Sequence, residues 1–520
     1  MKYKKIFFIL FLTFSFGISL AEEKPTIQSK EKNKLPNVLL IGDSVYQAFI
    51  HNAIKMLKGR ANLHYSPTLT YHTGQALDQY NALIGSKKWD LIHFNFGFND
   101  IMYKDPTIKS IRAMHKDAGG VPVTSLENYE KNLQELVKRF KKNGAKVIWA
   151  STTPIYGSNG ILYEGDEITY NNIAAKVMRE NNITINDMHT HAKKYNESNR
   201  HKGTFSYKGA TLHTPIIRSV LKELKLYKPI KGPLKVFIML GGKTHMGSGV
   251  VGGGSAPRAG SKPGSLDNLV LNKKTAVKFK HLLNDKGNWK SRSDVWLRYD
   301  RRWTNAGLHG IRYAGDRQRN VGYEYSLGIT LGDHYKEQVF IYKSSLGSPS
   351  VCPGFITVPK NQNIKFGKSY NSFIKVADST LEQLSNTFPV YDDSTGYELA
   401  GLIINLGEHD KDISLFANTF PHLIKALRKH FKQPKLPIVI VGSGLGGREK
   451  PQYPELIKAQ QAIAERPEFK GNVIFTDTRD FWPDPKKSPD PYPTNWYGNA
   501  LSYYQMGEAI GKDLISLQKN

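Results

Sequence analysis

Cysteine is almost missing from this chain: Cys352 is the single one among 520 residues. No intrachain disulfide can form, so the protein is held by its cores rather than by staples. The lone thiol reads as a buried small residue, with a catalytic thiol as the remote alternative. Acids are scarce beside bases, 45 against 73, which leaves a formal net charge of +28. No stretch after residue 21 is apolar enough to span a bilayer. The 16 histidines are scattered without metal-ligand spacing, so no metal and no cofactor is expected. No Gly-Lys-Ser/Thr run has the spacing of a phosphate-binding loop, and Gly252-Gly253-Gly254-Ser255 reads as a flexible loop. No short-period repeat is present.

What is there begins with a leader. Lys2, Lys4 and Lys5 precede an uncharged apolar run, Ile6 to Leu20, and Ser19-Leu20-Ala21 is a small-residue cleavage site before Glu22. Residues 1–21 therefore read as a secretory signal, which predicts a secreted or periplasmic protein. A membrane anchor is the competing reading, and the shortness of the run argues against it. No Cys follows the run, which argues against a lipoprotein. In an exported protein the positive charge points to sulfated or carboxylated polysaccharide, or to the cell envelope, rather than to nucleic acid. Surface lysine serving solubility alone is the competing reading.

A polar tether, 22–35, leads into alternating strands and helices. Strands are expected at Val38 to Ile41, Leu91 to Asn95 and Val147 to Ala150. Helices are expected at Val45 to Leu57, after a capping box at Thr124-x-x-Glu127 up to Lys142 with Gly144 as terminator, at Tyr170 to Glu180, and at Pro215 to Leu226. Residues 229–233, between Lys228 and Leu234, read as a linker. The same grammar then restarts with strands at Val236 to Leu240, Val339 to Tyr342, Leu402 to Asn405, Ile438 to Val441 and Val473 to Phe475, and a helix after Tyr503. The alternation predicts an α/β chain of two tandem three-layer α/β/α units with parallel sheets, 36–228 and 234–520.

The run Val38-Leu39-Leu40-Ile41 ends in Gly42-Asp43-Ser44. A strand running into such a turn presents a serine hydroxyl at the carboxyl edge of a parallel sheet, where these folds carry their chemistry. A serine hydroxyl needs a base within reach and donors for the oxyanion formed on attack. Phe96-Gly97-Phe98-Asn99-Asp100 follows the second strand, and the Asn99 amide can supply a donor. Together these blocks resemble the SGNH hydrolases, the GDSL-type esterases and lipases, over Pro36 to Leu226. Gly42-Asp43-Ser44 resembles the nucleophile block, and Gly97-x-Asn99-Asp100 the block with the oxyanion asparagine. Trp89 to Gly97 resembles a secreted bacterial branch met beside polysaccharide-degrading enzymes. The resemblance implies that Ser44 attacks and that Asn99 steadies the oxyanion, with Asp43 in the same block.

Two departures stand out. The family's glycine block should fall near Pro67 to Gly74, where only Gly74 can fill it. Its last block, Asp-x-x-His, matches best at His201 to Gly209, but Thr204 stands where the His belongs and His201 where the acid belongs. Either His201 or His213 would be the base if that loop reorganised; surface or capping roles are the competing reading for both.

The second half resembles the sialate O-acetylesterase-like carbohydrate esterases. Gly242-Lys243-Thr244-His245-Met246 stands where that family reads Gly-Gln-Ser-Asn-Met, Gly407-Glu408-His409-Asp410 matches its acidic block, and Asn495 replaces its histidine. The resemblance implies a vestigial site of Thr244, Glu408, Asp410 and Asn495, with the two acids free to bind sugar hydroxyls. His245, next to Thr244, is expected to point away from its hydroxyl. Trp482, Trp496, Tyr497, Tyr503 and Tyr504 are candidates to stack on sugars, with core packing as the competing use. The function implied is a secreted carbohydrate esterase that removes O-acetyl or similar acyl groups from polysaccharide. The alternative is a pseudo-esterase that binds anionic glycan without turning it over.

Overall fold

The computed structural model describes residues 35–42, 53–54, 57, 60–65, 72–199, 213–226, 232–254, 256–292, 294–300, 307–308, 320–345, 350–358, 364–391 and 394–518. Asp43, Ser44 and His201 lie outside the described residues, as do the signal, the tether and most of the helix expected at Val45 to Leu57. Two parallel sheets form, one on each side of residues 229–233 in the sequence.

The first sheet contains β1 (Asn37–Ile41), β2 (Asn62–Tyr65), β3 (Leu91–Phe94), β4 (Lys146–Ala150) and β5 (Thr184–Asn186), in the spatial order β2-β1-β3-β4-β5. Every pairing is parallel. Val38, Leu39, Leu40 and Ile41 are all buried, as a strand covered on both faces requires. β2 and β5 escaped the sequence reading because edge strands this short carry almost no apolar signal: only Leu63 of β2 and Asn186 of β5 are buried.

On one face lie α1 (Thr73–Asp78), α2 (Phe98–Ile101), α3 (Leu126–Lys142) and α4 (Asp166–Glu180). Tyr129, Leu133, Leu136, Val137 and Phe140 recur at helical spacing along α3 and pack on Ile92, Phe94 and Trp149. The cap of α3 is Ser125, whose hydroxyl accepts from the Asn128 N–H at 3.3 Å, and not Thr124. Thr124 is drawn inward instead: its N–H donates to the Asp100 carbonyl at 3.0 Å and its carbonyl accepts from the Tyr170 hydroxyl at 2.6 Å. The other face carries α5 (Met188–Asn199) and α6 (His213–Glu223).

The second sheet contains β6 (Leu234–Gly241), β7 (Val295–Tyr299), β8 (Gly307–Leu308), β9 (Val339–Ser345), β10 (Tyr397–Asn405), β11 (Ile438–Val441) and β12 (Val473–Thr476), in the order β8-β7-β9-β6-β10-β11-β12. All are parallel except β8, which runs against β7. The chain is thus α/β with parallel sheets between helices, as expected.

The halves are not merely strung together. One apolar cluster contains Val38, Leu40, Ile217 and Val220 from the first half and Phe340, Leu384 and Phe388 from the second. At this seam the Arg218 guanidinium, on α6, donates to the carbonyls of Phe388 at 3.0 Å, Pro389 at 3.1 Å and Ser385.

Candidate active site

In an open parallel sheet the crevice lies where successive strands depart in opposite directions. In the first sheet that point is β1, flanked by β2 and β3. The Asn95 N–H donates to the Ile41 carbonyl at 2.9 Å, so the chain leaving β1 toward Ser44 starts beside the loop leaving β3. That loop is fixed at several points. The Asn95 amide donates to the Ala150 carbonyl at 2.8 Å, and the Tyr129 hydroxyl to the Phe96 carbonyl at 2.7 Å. Gly97 has no room for a side chain, because a Cβ would collide with the Thr152 hydroxyl.

Asn99 and Asp100 follow in α2. Asp100 is fully buried. Its Oδ1 accepts from the Thr73 N–H at 3.0 Å and from the Thr73 hydroxyl at 2.6 Å. Thr73 Oγ1 in turn accepts from the Asn132 amide of α3 at 3.0 Å. Thr73 opens α1, the first described element after β2. This bond therefore ties together the two connections that flank the end of β1. It brings Gly74, the expected glycine donor, to the Asn99 side of the crevice. The Gly74 N–H lies in the first turn of α1, where no intrahelical acceptor exists.

Three buried polar atoms around this clamp have no hydrogen-bond partner among the described residues: Asn99 Nδ2, His72 Nδ1 and Gln75 Oε1. Buried polar atoms are nearly always bonded, so such a group calls for an explanation. His72 went unremarked in the sequence because it stands only as a neighbour in the degenerate glycine block. It is the N-cap residue of α1. Its ring lies on Gly74, where a Cβ would come within 3.0 Å of Cε1. Burial, followed by the charge of Lys104, pushes its pKa below 6.5 against the opposing pull of Asp78.

His213 is the first residue of α6. At the other end of α6, the Glu223 carbonyl accepts from Lys146 Nζ at 2.8 Å and its carboxylate from the Thr184 hydroxyl at 3.2 Å. Lys146 and Thr184 begin β4 and β5, so α6 starts toward the carboxyl edge of the sheet.

The second sheet repeats the geometry with different chemistry. Its departure point is β6, between β9 and β10. Thr244 follows β6 and Glu408 follows β10, and the Thr244 hydroxyl donates to Glu408 Oε2 at 3.2 Å. Ser443, after β11, donates to Oε1 of the same carboxylate at 2.7 Å. His245 does point away: it is fully buried and its Nδ1 meets the Tyr323 hydroxyl. Burial, followed by the charge of Lys343, pushes its pKa well below 6.5. Asp410 is engaged by the backbone. Its two oxygens accept from the Val351 and Cys352 N–H groups, each at 2.8 Å. Asn495 sits just before Trp496 and Tyr497, both with positive φ, and its carbonyl accepts from the Tyr503 hydroxyl at 3.5 Å.

Trp496, Tyr503 and Tyr504 are core residues. Cys352 is half-buried rather than buried, and burial raises its pKa, which disfavours a thiolate. The loop read as flexible is organised around Asp267, whose Oδ2 accepts from the N–H groups of Gly253 at 2.5 Å and Arg258 at 2.8 Å. Among the described residues no group of three His, Cys, Asp or Glu can hold a metal ion, and no helix is long and apolar enough to cross a membrane.

No curated protein matches the chain. Among solved structures it is similar to an acetyl xylan esterase, AlAXEase, at 22% identity over 32% of this chain and 83% of that one, with a TM-score of 0.26. It is also similar to Axe2, an acetylxylan esterase from Geobacillus stearothermophilus, at 16% identity over 36% and 94%, with a TM-score of 0.28. LAE5, an alpha/beta hydrolase enzyme from the metagenome of Lake Arreo, Spain, is similar at 16% identity over 37% and 95%, with a TM-score of 0.28. Residues 27–205 match the family model described as GDSL-like Lipase/Acylhydrolase. With the sheet order and the edge cluster already in place, residues 27–205 are a domain of the GDSL-like lipase/acylhydrolase family.

Proposed function

We propose that this protein is an exported serine esterase that removes O-acetyl or similar acyl groups from a polysaccharide. Ser44 attacks the acyl carbon, and the Gly74 N–H and Asn99 Nδ2 hold the oxygen that becomes negative. The observation that carries the reading is the Asp100–Thr73 clamp, which gathers both donors beside the end of β1 while Asn99 Nδ2 stays buried and unpartnered. Preorganised donors of this kind act on the charge that develops at attack, and losing one costs about 10²- to 10³-fold in rate.

Export rests on residues 1–21, and a polyanionic substrate on the charge of +28. The second half serves as scaffold in this reading. Its Glu408 carboxylate is occupied by Thr244 and Ser443, and Asn495 cannot accept a proton. That occupied site is what favours the second reading, a glycan-binding protein without turnover.

Hydrolysis of p-nitrophenyl acetate by the full chain and by Ser44→Ala separates the two. Turnover is expected to vanish in the variant. Equal rates, or none in either, would leave the binding reading. Retention on a sulfated polysaccharide column should fall steeply with salt, and retention that ignores salt counts against a polyanionic partner.

A further inference from the structure

We propose that Leu271 to Lys290, in the second half, form a docking surface for an anionic polysaccharide, separate from the esterase site. The partner is a chain of sulfated or carboxylated sugars. The proposal shares with the reading above only its polyanionic partner, and it stands whether or not the first half turns over esters.

The sequence concentrates charge in this segment. Residues 273–290 hold six lysines, Lys273, Lys274, Lys278, Lys280, Lys286 and Lys290, against one acid, Asp285. All six are exposed. Lys278 pairs with Glu508 at 3.7 Å, while Lys273, Lys274, Lys280 and Lys290 form no ion pair among the described residues.

The fold sets this charge on a fixed base. α7 (Leu266–Leu271) and α8 (Lys273–Phe279) meet at Asn272, whose side chain accepts from the Lys274 N–H at 2.9 Å. Leu266, Leu269, Val270, Phe279 and Leu282 are core residues. Phe279 meets Tyr504 of α9 (Ala500–Leu517) edge-on at 5.1 Å between ring centres, and His281 Nε2 lies 3.2 Å from the Tyr504 hydroxyl. Further on, the Lys290 N–H returns to the Leu282 carbonyl at 2.9 Å.

Folding gains little from the outer side of this unit. Lys274 and Lys278 are four apart on one helix, a like-charge spacing that destabilises it. Lys273 and Lys274 fall in its first turn, where positive charge opposes the helix dipole. Val277, among these lysines, is 91% exposed, and Leu271 is 47% exposed. A polyanion relieves the repulsion, and the counterions released on contact favour binding.

The surface faces away from the first half. Along β6, Val236, Ile238 and Leu240 belong to the cluster that joins the two halves, whereas Phe237 and Met239 belong to the cluster of Phe279 and Leu282. Alternate residues of a strand face opposite sides, so the second sheet lies between the lysines and the seam. A lipid surface suits the segment less well. Interfacial segments offer Trp, Phe and Leu to the acyl boundary, but Phe279 is in the core and the Trp289 Nε1 is buried.

The test is binding of the full chain to dextran sulfate as a function of salt. It compares the natural protein, Lys273→Gln/Lys274→Gln/Lys280→Gln/Lys290→Gln, and a control of equal charge, Lys88→Gln/Lys131→Gln/Lys138→Gln/Lys142→Gln, built on four exposed lysines of the first half. The first variant should elute from a dextran sulfate column at lower salt and lose about 3 from the slope of log K against log salt, close to one per lysine removed. The control should keep the natural slope. Unchanged Tm and unchanged turnover of p-nitrophenyl acetate in both variants check that the fold is intact. Equal losses in the two variants, or no loss in the first, would overturn the proposal and leave a polyanionic substrate standing. A natural protein that does not bind at all overturns both, without touching Ser44-dependent turnover. Binding to phosphatidylglycerol vesicles but not to dextran sulfate, abolished in the first variant, would assign the surface to a membrane and overturn the proposal.

Discussion

Asp100 uses a single carboxylate oxygen to hold both the backbone N–H and the hydroxyl of Thr73, 27 residues earlier in the chain. Thr73→Val keeps the N–H bond but strips the hydroxyl from Asp100 and from Asn132. A buried hydrogen bond to a charged group contributes about 1.5–3 kcal/mol, so the variant should lose about 2 kcal/mol of stability. Ester turnover should fall further than that implies, because Gly74 and Asn99 are then tied by the Thr73 N–H bond alone. Thermal unfolding and kcat/KM, measured on the same preparation, check the two effects separately. A variant with lower stability and unchanged turnover would show that the clamp serves only the fold.

His93 carries a pH prediction. Burial lowers its pKa from 6.5 to about 3 in the folded chain. The unfolded state therefore takes up a proton as pH falls below 6.5, and the folded state does not until near 3. Stability is complete above 6.5 and declines toward pH 3. Each pH unit below 6.5 costs about 1.4 kcal/mol, so the loss at pH 5 is about 2 kcal/mol. His72 and His245, both depressed by burial, add slopes of the same sign. Urea unfolding at pH 7 and pH 5 should show a drop about 2 kcal/mol smaller in His93→Gln than in the natural protein. Identical drops would place the titration elsewhere.

How much of this was legible in the sequence follows from which signals are local. Buried central strands announce themselves: Val38 to Ile41 and Ile438 to Val441 lie on strands with all four residues buried. Edge strands β2 and β5 do not, since half-exposed polar residues look the same in a loop. The Gly97-x-Asn99 block was noticed because it is a local pattern. The Thr73–Asp100 bond was not, because it joins residues whose nearness depends on strand order, and strand order is a property of the whole sheet. That Asp410 accepts two backbone N–H groups was not legible either, because sequence cannot tell an acid that faces solvent from one bonded to the backbone.

Arg218 tests whether the halves unfold together. Its guanidinium donates to three carbonyls of the second half, at Ser385, Phe388 and Pro389. Arg218→Met keeps the apolar stem and removes every donor; the Phe388 carbonyl still accepts from the Tyr391 N–H at 3.2 Å, while those of Ser385 and Pro389 lose their donor. Each unsatisfied buried group costs about 1–3 kcal/mol, so a loss on the order of 3 kcal/mol is expected. Because the apolar cluster at this seam draws residues from both halves, calorimetry should show one transition displaced to lower temperature. A split into two transitions, with one unmoved, would mean that the cluster does not couple them.

Thr244 closes the case on the second sheet. It occupies the position after β6 that corresponds to Ser44 after β1, and its hydroxyl already donates to Glu408 at 3.2 Å. A serine at this position does not create catalysis under this arrangement, because its proton faces the Glu408 carboxylate, which also accepts from Ser443 at 2.7 Å. Asn495 takes up no proton. In a Ser44→Ala background, Thr244→Ser should therefore add no measurable hydrolysis of p-nitrophenyl acetate, while Thr244→Ser/Asn495→His would add turnover only if the ring reaches the new hydroxyl. Glu408→Gln should weaken two hydroxyl bonds and lower stability by about 1–3 kcal/mol, read by urea unfolding. Turnover gained by Thr244→Ser alone would mean that Glu408 accepts the proton after all, and that the second half is an enzyme rather than a support for the first.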